Sequence, residues 1–136
     1  MTLYTRCIFD PPSPEDGLRI CIMSRLTQND GRTPDLRLVT GKAFDEWKVY
    51  LAPDPLSVGK WYRSEKTPQD WKDFTEAYGN LLKTESIERR VIELTHQAMR
   101  EDLTLLCVEK DHQFCHRGLL AERCKLYIPS LIVIHR

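Results

Sequence analysis

Between Cys107 and Arg117 the chain reads Cys-Val-Glu-Lys-Asp-His-Gln-Phe-Cys-His-Arg. Two thiols, two imidazoles, two carboxylates, one lysine and one arginine fall within these eleven positions. Apolar sequence flanks the segment on both sides, Leu103 to Leu106 before it and Leu119 to Ala121 after it. Three chemistries use these residue types. A cysteine activated by histidine is a nucleophile. Cys107, His112, Cys115 and His116 are zinc-type ligands. A polar pocket could instead bind a small anion without covalent chemistry. No phosphate loop and no dinucleotide glycine fingerprint is present to support nucleotide binding. Arg117 follows Cys115 by only two residues. That is too close for phosphate loops in which an arginine lies several residues beyond the cysteine. The zinc chemistry lacks paired Cys-x-x-Cys knuckles, and adjacent ligands Cys115 and His116 would point apart on a helix.

The elements around the segment decide what it can do. Leu103 to Val108 is a nearly continuous apolar run, as expected of a strand covered on both faces of a parallel sheet. Glu109 to Phe114 is a polar loop. Cys115 to Glu122 then has a helical pattern, which places Cys115, His116 and Arg117 at a helix N-terminus. Unpaired backbone N–H groups and the positive end of the dipole favour an anion there and lower a thiol pKa. Cys115 is therefore the candidate thiolate and Arg117 the candidate anion contact. His116 would move a proton, and Glu109 would orient it or act as a base. Gly118 would permit close approach of a strand or a ligand. The bland alternatives are a buried Cys107, a His116 bonded to a carbonyl, and an Arg117 paired with Glu109 or Glu122.

Upstream, Leu3 to Phe9 and Leu18 to Met23 are strand candidates, separated by Asp10-Pro11-Pro12-Ser13-Pro14. Thr27 to Thr40 is a long polar loop. Phe44, Trp47 and Leu51 have helical spacing, ended by Ala52-Pro53. Pro55 to Arg63 is a short helix. Thr67, Pro68 and Asp70 form a helix start signal, followed by an apolar stripe at Trp71, Phe74, Tyr78 and Leu81. Another helix spans Glu85 to Glu101, and a final strand Tyr127 to Ile134. This order predicts a single α/β domain over residues 1–136, with a small, mainly parallel sheet flanked by helices. Ligands bind such sheets beyond the carboxyl ends of the strands. Asp10 ends the first strand, Arg25 follows the second, and Cys107 and Glu109 end another. Their ends would converge on one pocket, with Arg25 and Arg117 facing an anion. The alternatives are a turn-capping Asp10 and a solvated Arg25.

With 136 residues, 20 basic and 20 acidic side chains, the formal net charge is zero. That argues against broad binding to nucleic acid or anionic membranes. The N-terminus has no signal-peptide pattern. Five cysteines, an odd number, are expected to be reduced thiols in the cytosol. No cofactor is expected, and the partner of the pocket is a small anionic molecule. The rival function is a non-enzymatic protein-interaction module, for which exposed tryptophans among Trp47, Trp61 and Trp71 would form the surface. A structural zinc protein is the third class. Substrate, reaction and oligomeric state are open.

Several motifs in order resemble the domain of unknown function 488 (YeaO-like) family. They are Tyr4-Thr5-Arg6 through Asp10-Pro11-Pro12-Ser13-Pro14-Glu15-Asp16-Gly17, Phe44-Asp45-Glu46-Trp47, Leu51-Ala52-Pro53, Lys60-Trp61-Tyr62, and Trp71 through Tyr78. Cys107 to Glu122 resembles the Leu-Cys-x-Glu and Cys-His-Arg motifs of that family's other branch. The resemblance implies a compact α/β fold and transfers no reaction. It directs attention to Asp10, Asp16, Gly17, Arg25, Glu109, Cys115, His116 and Arg117. Where YeaO-like members have Asp-Arg-Leu-Trp-Pro-Arg-Gly, this chain has Ser24-Arg25-Leu26-Thr27-Gln28-Asn29. It looks like a mosaic of the two branches.

Overall fold

β-Branched and apolar residues alternate with polar ones in the first strand, so one of its faces is buried at every second position. In the computed structural model, which describes residues 1–136, this strand is β1 (Thr2–Cys7). It is followed by β2 (Leu18–Cys21), β3 (Glu46–Trp47), α1 (Pro55–Arg63), α2 (Pro68–Leu82), α3 (Glu85–Arg100), β4 (Leu103–Cys107), α4 (His116–Tyr127) and β5 (Ile132–His135). The five strands form one sheet in the order β3-β2-β4-β1-β5, with every pair parallel. The fold is the expected α/β arrangement. β4 lies at the centre and is buried at all five positions, which explains its unbroken apolar sequence.

Alternation assigns the two faces of the sheet. Leu3, Ile20, Leu103 and Leu105 pack with Tyr78, Leu82, Val91, Leu94, Leu120 and Cys124 of α2, α3 and α4. Arg6, Arg19 and Thr104, offset by one residue, belong to the opposite face. There the buried Asp16 accepts from Arg6 at 2.9 Å and from Arg19 at 2.6 Å, and the Thr104 hydroxyl donates to the Asp16 carbonyl. Cys21, Leu106, Phe44 and Leu38 complete a smaller apolar cluster.

The helix starts follow from their caps. Thr67 accepts from the Asp70 N–H, and the Asp70 carboxylate accepts from the Thr67 N–H. That reciprocal capping box starts α2 at Pro68. Two expectations need correction. The segment with helical spacing at Phe44, Trp47 and Leu51 is not a helix. Glu46 and Trp47 pair with Ile20 and Cys21 as the edge strand β3, and a single 3-10 turn follows at Val49–Leu51. Backbone pairing to an open sheet edge supplies hydrogen bonds that this short segment, stopped by Pro53, could not replace as an isolated helix. The final strand begins later than Tyr127, because α4 continues to Tyr127 and Pro129 lies in the turn before β5.

Candidate functional site

β2 and β4 are neighbours, but their onward connections leave in opposite directions. The chain goes from β2 outward to β3, and from β4 across β1 to β5. A crevice opens at such a switch point, beyond the strand carboxyl ends. Here it is a cleft of about 900 Å³. One wall is the segment after β2, including Arg25 and Asp30. A second is α1, with Trp61, Tyr62 and Arg63. The floor is the end of β4 and the start of α4, with Cys107, Glu109, Cys115 and His116.

Cys115 is the N-cap of α4 and His116 its first residue. Both are buried, and so is Cys107. The Cys107 and Cys115 sulfurs and a ring nitrogen of His116 all lie within 4.8 Å of one another. His116 Nε2 is 2.6 Å from the Ile22 carbonyl oxygen. A carbonyl only accepts, so Nε2 carries a hydrogen. Nδ1 is left facing Cys107 Sγ at 3.4 Å. The Tyr78 ring meets the imidazole edge-on, with centroids 5.7 Å apart. α4 is thus tied to the end of β2 through His116, and the imidazole has one defined orientation.

Their surroundings shift the two thiols in opposite directions. Burial works against ionisation of Cys115. The Cys107 thiol hydrogen bond, the charge and hydrogen bond of His116, and the Arg117 backbone N–H outweigh it and hold Cys115 well below an ordinary thiol. Burial, followed by the hydrogen bond to Cys115 and its charge, pushes Cys107 well above that range.

Three of the sequence-predicted groups occupy other positions. Arg117 is fully buried and does not line the cleft. Its guanidinium donates to the carbonyls of Glu109 and Lys110, which fastens the loop between β4 and α4. The Glu109 carboxylate lines the cleft but is not bonded to His116. It accepts from the Tyr62 hydroxyl at 2.9 Å, joining α1 to the floor. Burial first, and then the charges around it, Glu109 among them, push the Tyr62 phenol far above its usual range. Asp10 lies outside the cleft beside Arg6, with 3.7 Å between their charged atoms. Arg25 lines the cleft and donates to the Gly31 carbonyl.

The ligand set weighed for zinc also changes. His112 lies outside the cluster, stacked on His135 with centroids 4.0 Å apart. Cys107, Cys115 and His116 remain as three residues able to hold a metal ion. Gly118 serves neither a strand nor a ligand. The chain's own turn at His112–Phe114 packs there, and a Cβ would come within 2.5 Å of the His112 carbonyl oxygen. Trp61 is buried, with its ring 5.0 Å from that of Trp71, while Trp47 is partly exposed and donates to the Met23 carbonyl.

The cleft residues on α1 were not assigned from sequence. Their signal was the run Lys60-Trp61-Tyr62-Arg63, in which aromatic and cationic side chains share one short helix. No helix of the structure is long and apolar enough to cross a membrane. All five cysteines are unpaired and buried.

No curated protein and no solved structure matches the chain in comparison. A family model does match, over residues 3–126, described as DUF488-N3a, the active DUF488-N3 subclade. The match covers the whole sheet except β5 and includes the Cys107–Cys115–His116 floor, so the chain belongs to the DUF488 family.

Proposed function

We propose that the protein is an enzyme that uses Cys115 as a thiolate nucleophile on a small anionic substrate held in the cleft between β2 and β4. The observation that carries this reading is the joint placement of Cys107, Cys115 and His116 at the mouth of α4, bordering the cleft. The helix N-terminus and His116 stabilise negative charge on sulfur. Cys107 lies beside that sulfur, within 4.8 Å. Arg25 and Arg63, on opposite walls, are the cations available to a substrate anion. Trp61 and Phe114 offer an apolar surface to the rest of it. The description of the matching family model as an active subclade supports a catalytic reading. The unpaired cysteines accord with a reducing, cytosolic setting.

A second reading has one specific observation in its favour. A metal-bound histidine commonly donates its other ring N–H to a carbonyl, as His116 does to Ile22. Cys107, Cys115 and His116 would then hold zinc, with a fourth position open to the cleft.

Paired alkylating agents test the nucleophile and the anion preference together. Iodoacetate and iodoacetamide are compared at Cys115 by peptide mass spectrometry, with free cysteine as the reference. The expected result is a several-fold greater preference for iodoacetate than free cysteine has, reduced in Arg25→Ala. A ratio equal to that of free cysteine would remove the anion-binding part. Stoichiometric zinc that blocks alkylation of both Cys107 and Cys115 would replace the thiolate reading with the metal one.

A further inference from the structure

The nucleophilic role of Cys115 does not by itself need a second sulfur beside it. Cys107 nevertheless ends β4 with its sulfur within 4.8 Å of the Cys115 sulfur, although the two residues belong to different elements. Both border the cleft, so a small oxidant in the cleft can meet them. His116 Nδ1, 3.4 Å from Cys107 Sγ, is positioned to take the Cys107 proton. The other three cysteines do not line the cleft. Cys7 is the cross-strand partner of Cys107, but its thiol donates to the Val108 carbonyl. Cys124 belongs to the core on the helical side of the sheet, where burial pushes its thiol up to about 11.

We propose that Cys107 is the resolving thiol of Cys115, so that a hydroperoxide converts the pair into a reversible Cys107–Cys115 disulfide that switches the nucleophile off. The inference rests on the reading of Cys115 as the nucleophile of the cleft. In the first step the Cys115 sulfur attacks a peroxide oxygen. The S–O bond forms, the O–O bond breaks, and the leaving oxygen takes a proton from solvent and departs as alcohol or water. Cys115 is then a sulfenic acid. In the second step Cys107 gives its proton to His116 and attacks the Cys115 sulfur. The S–S bond forms and the S–O bond breaks. Hydroxide leaves, protonated by His116, as water. Two thiols have lost two electrons, and the peroxide has gained them. A thiol reductant reverses the change by exchange.

The test treats the full chain with hydrogen peroxide, with and without dimedone, and maps the cysteines by mass spectrometry. The expected product is a Cys107–Cys115 link, lost on addition of dithiothreitol. In Cys107→Ser, Cys115 is expected to accumulate as a dimedone-trapped sulfenic acid. Circular dichroism checks that this variant folds, and Cys107→Ala serves if it does not. A Cys115 sulfenic acid that persists in the unsubstituted protein, or a link from Cys115 to Cys7 or Cys21, overturns the resolving role and leaves the thiolate reading intact. A Cys115 that neither oxidises nor alkylates below the ordinary thiol range overturns both.

Discussion

Arg117 shows how much a single residue's role depends on tertiary context. Its place in a Cys-His-Arg run makes it read as an anion contact. In the structure its guanidinium is buried beneath the loop and holds two backbone carbonyls. Residue type and helix position were legible in the sequence, as they were for Cys115 and His116. Which partner a long side chain reaches was not, because that depends on how the following loop folds back. Asp16 is a similar case, since the family resemblance directs attention to it without showing its partners. It proves to be the buried counter-charge of Arg6 and Arg19. Burial raises the cost of its ionised form, but the Arg6 hydrogen bond, the Ser13 N–H and the Arg19 hydrogen bond outweigh that and lower its pKa. A carboxyl with a folded pKa below its unfolded one contributes stability that is present above the unfolded value, about 3.9, and lost as pH falls through the folded one. Urea unfolding should therefore show stability declining below about pH 4. Asp16→Asn should flatten that decline and cost about 3 kcal/mol at neutral pH, because two largely buried guanidinium groups lose their carboxylate. A neutral-pH loss under about 0.5 kcal/mol, the range of ordinary surface changes, would contradict this role.

Among the elements, those with strong local signals were legible. The Thr67–Asp70 capping box, the apolar run of β4 and the start of α4 are all where the sequence predicts them. The Phe44–Leu51 segment was not, because its helical spacing competes with an open sheet edge that only the folded β2 provides. α4 depends on a contact that periodicity does not reveal. Gly118 lies against the His112 carbonyl, so the helix and the turn before it are packed backbone to backbone. An added methyl has no room there, and overpacking of this kind costs about 1–3 kcal/mol. Gly118→Ala is expected to lower stability by that order. It should also slow alkylation of Cys115 relative to the unsubstituted protein, since the turn carrying Phe114 and Cys115 must shift. Unchanged stability and unchanged Cys115 reactivity would show that the turn does not fix the thiol.

For the whole molecule, the cleft lies beyond the carboxyl ends of the parallel strands, at the switch point between β2 and β4. The wall made by α1 was not legible. Tyr62 is distant from Glu109 in sequence, and only the packing of α1 on α2 brings its hydroxyl to that carboxylate. The cleft therefore joins three separate parts of the chain: the segment after β2, α1, and the β4–α4 junction. On the proposed reading, this assembly keeps Cys115 ionised where an ordinary thiol is protonated. The most direct test is the rate of alkylation of each cysteine as a function of pH, resolved by peptide mass spectrometry. Cys115 is expected to react with a midpoint well below the reference thiol value of about 8.5, while Cys107 remains unreactive through that range. A Cys115 midpoint at or above that value would contradict it.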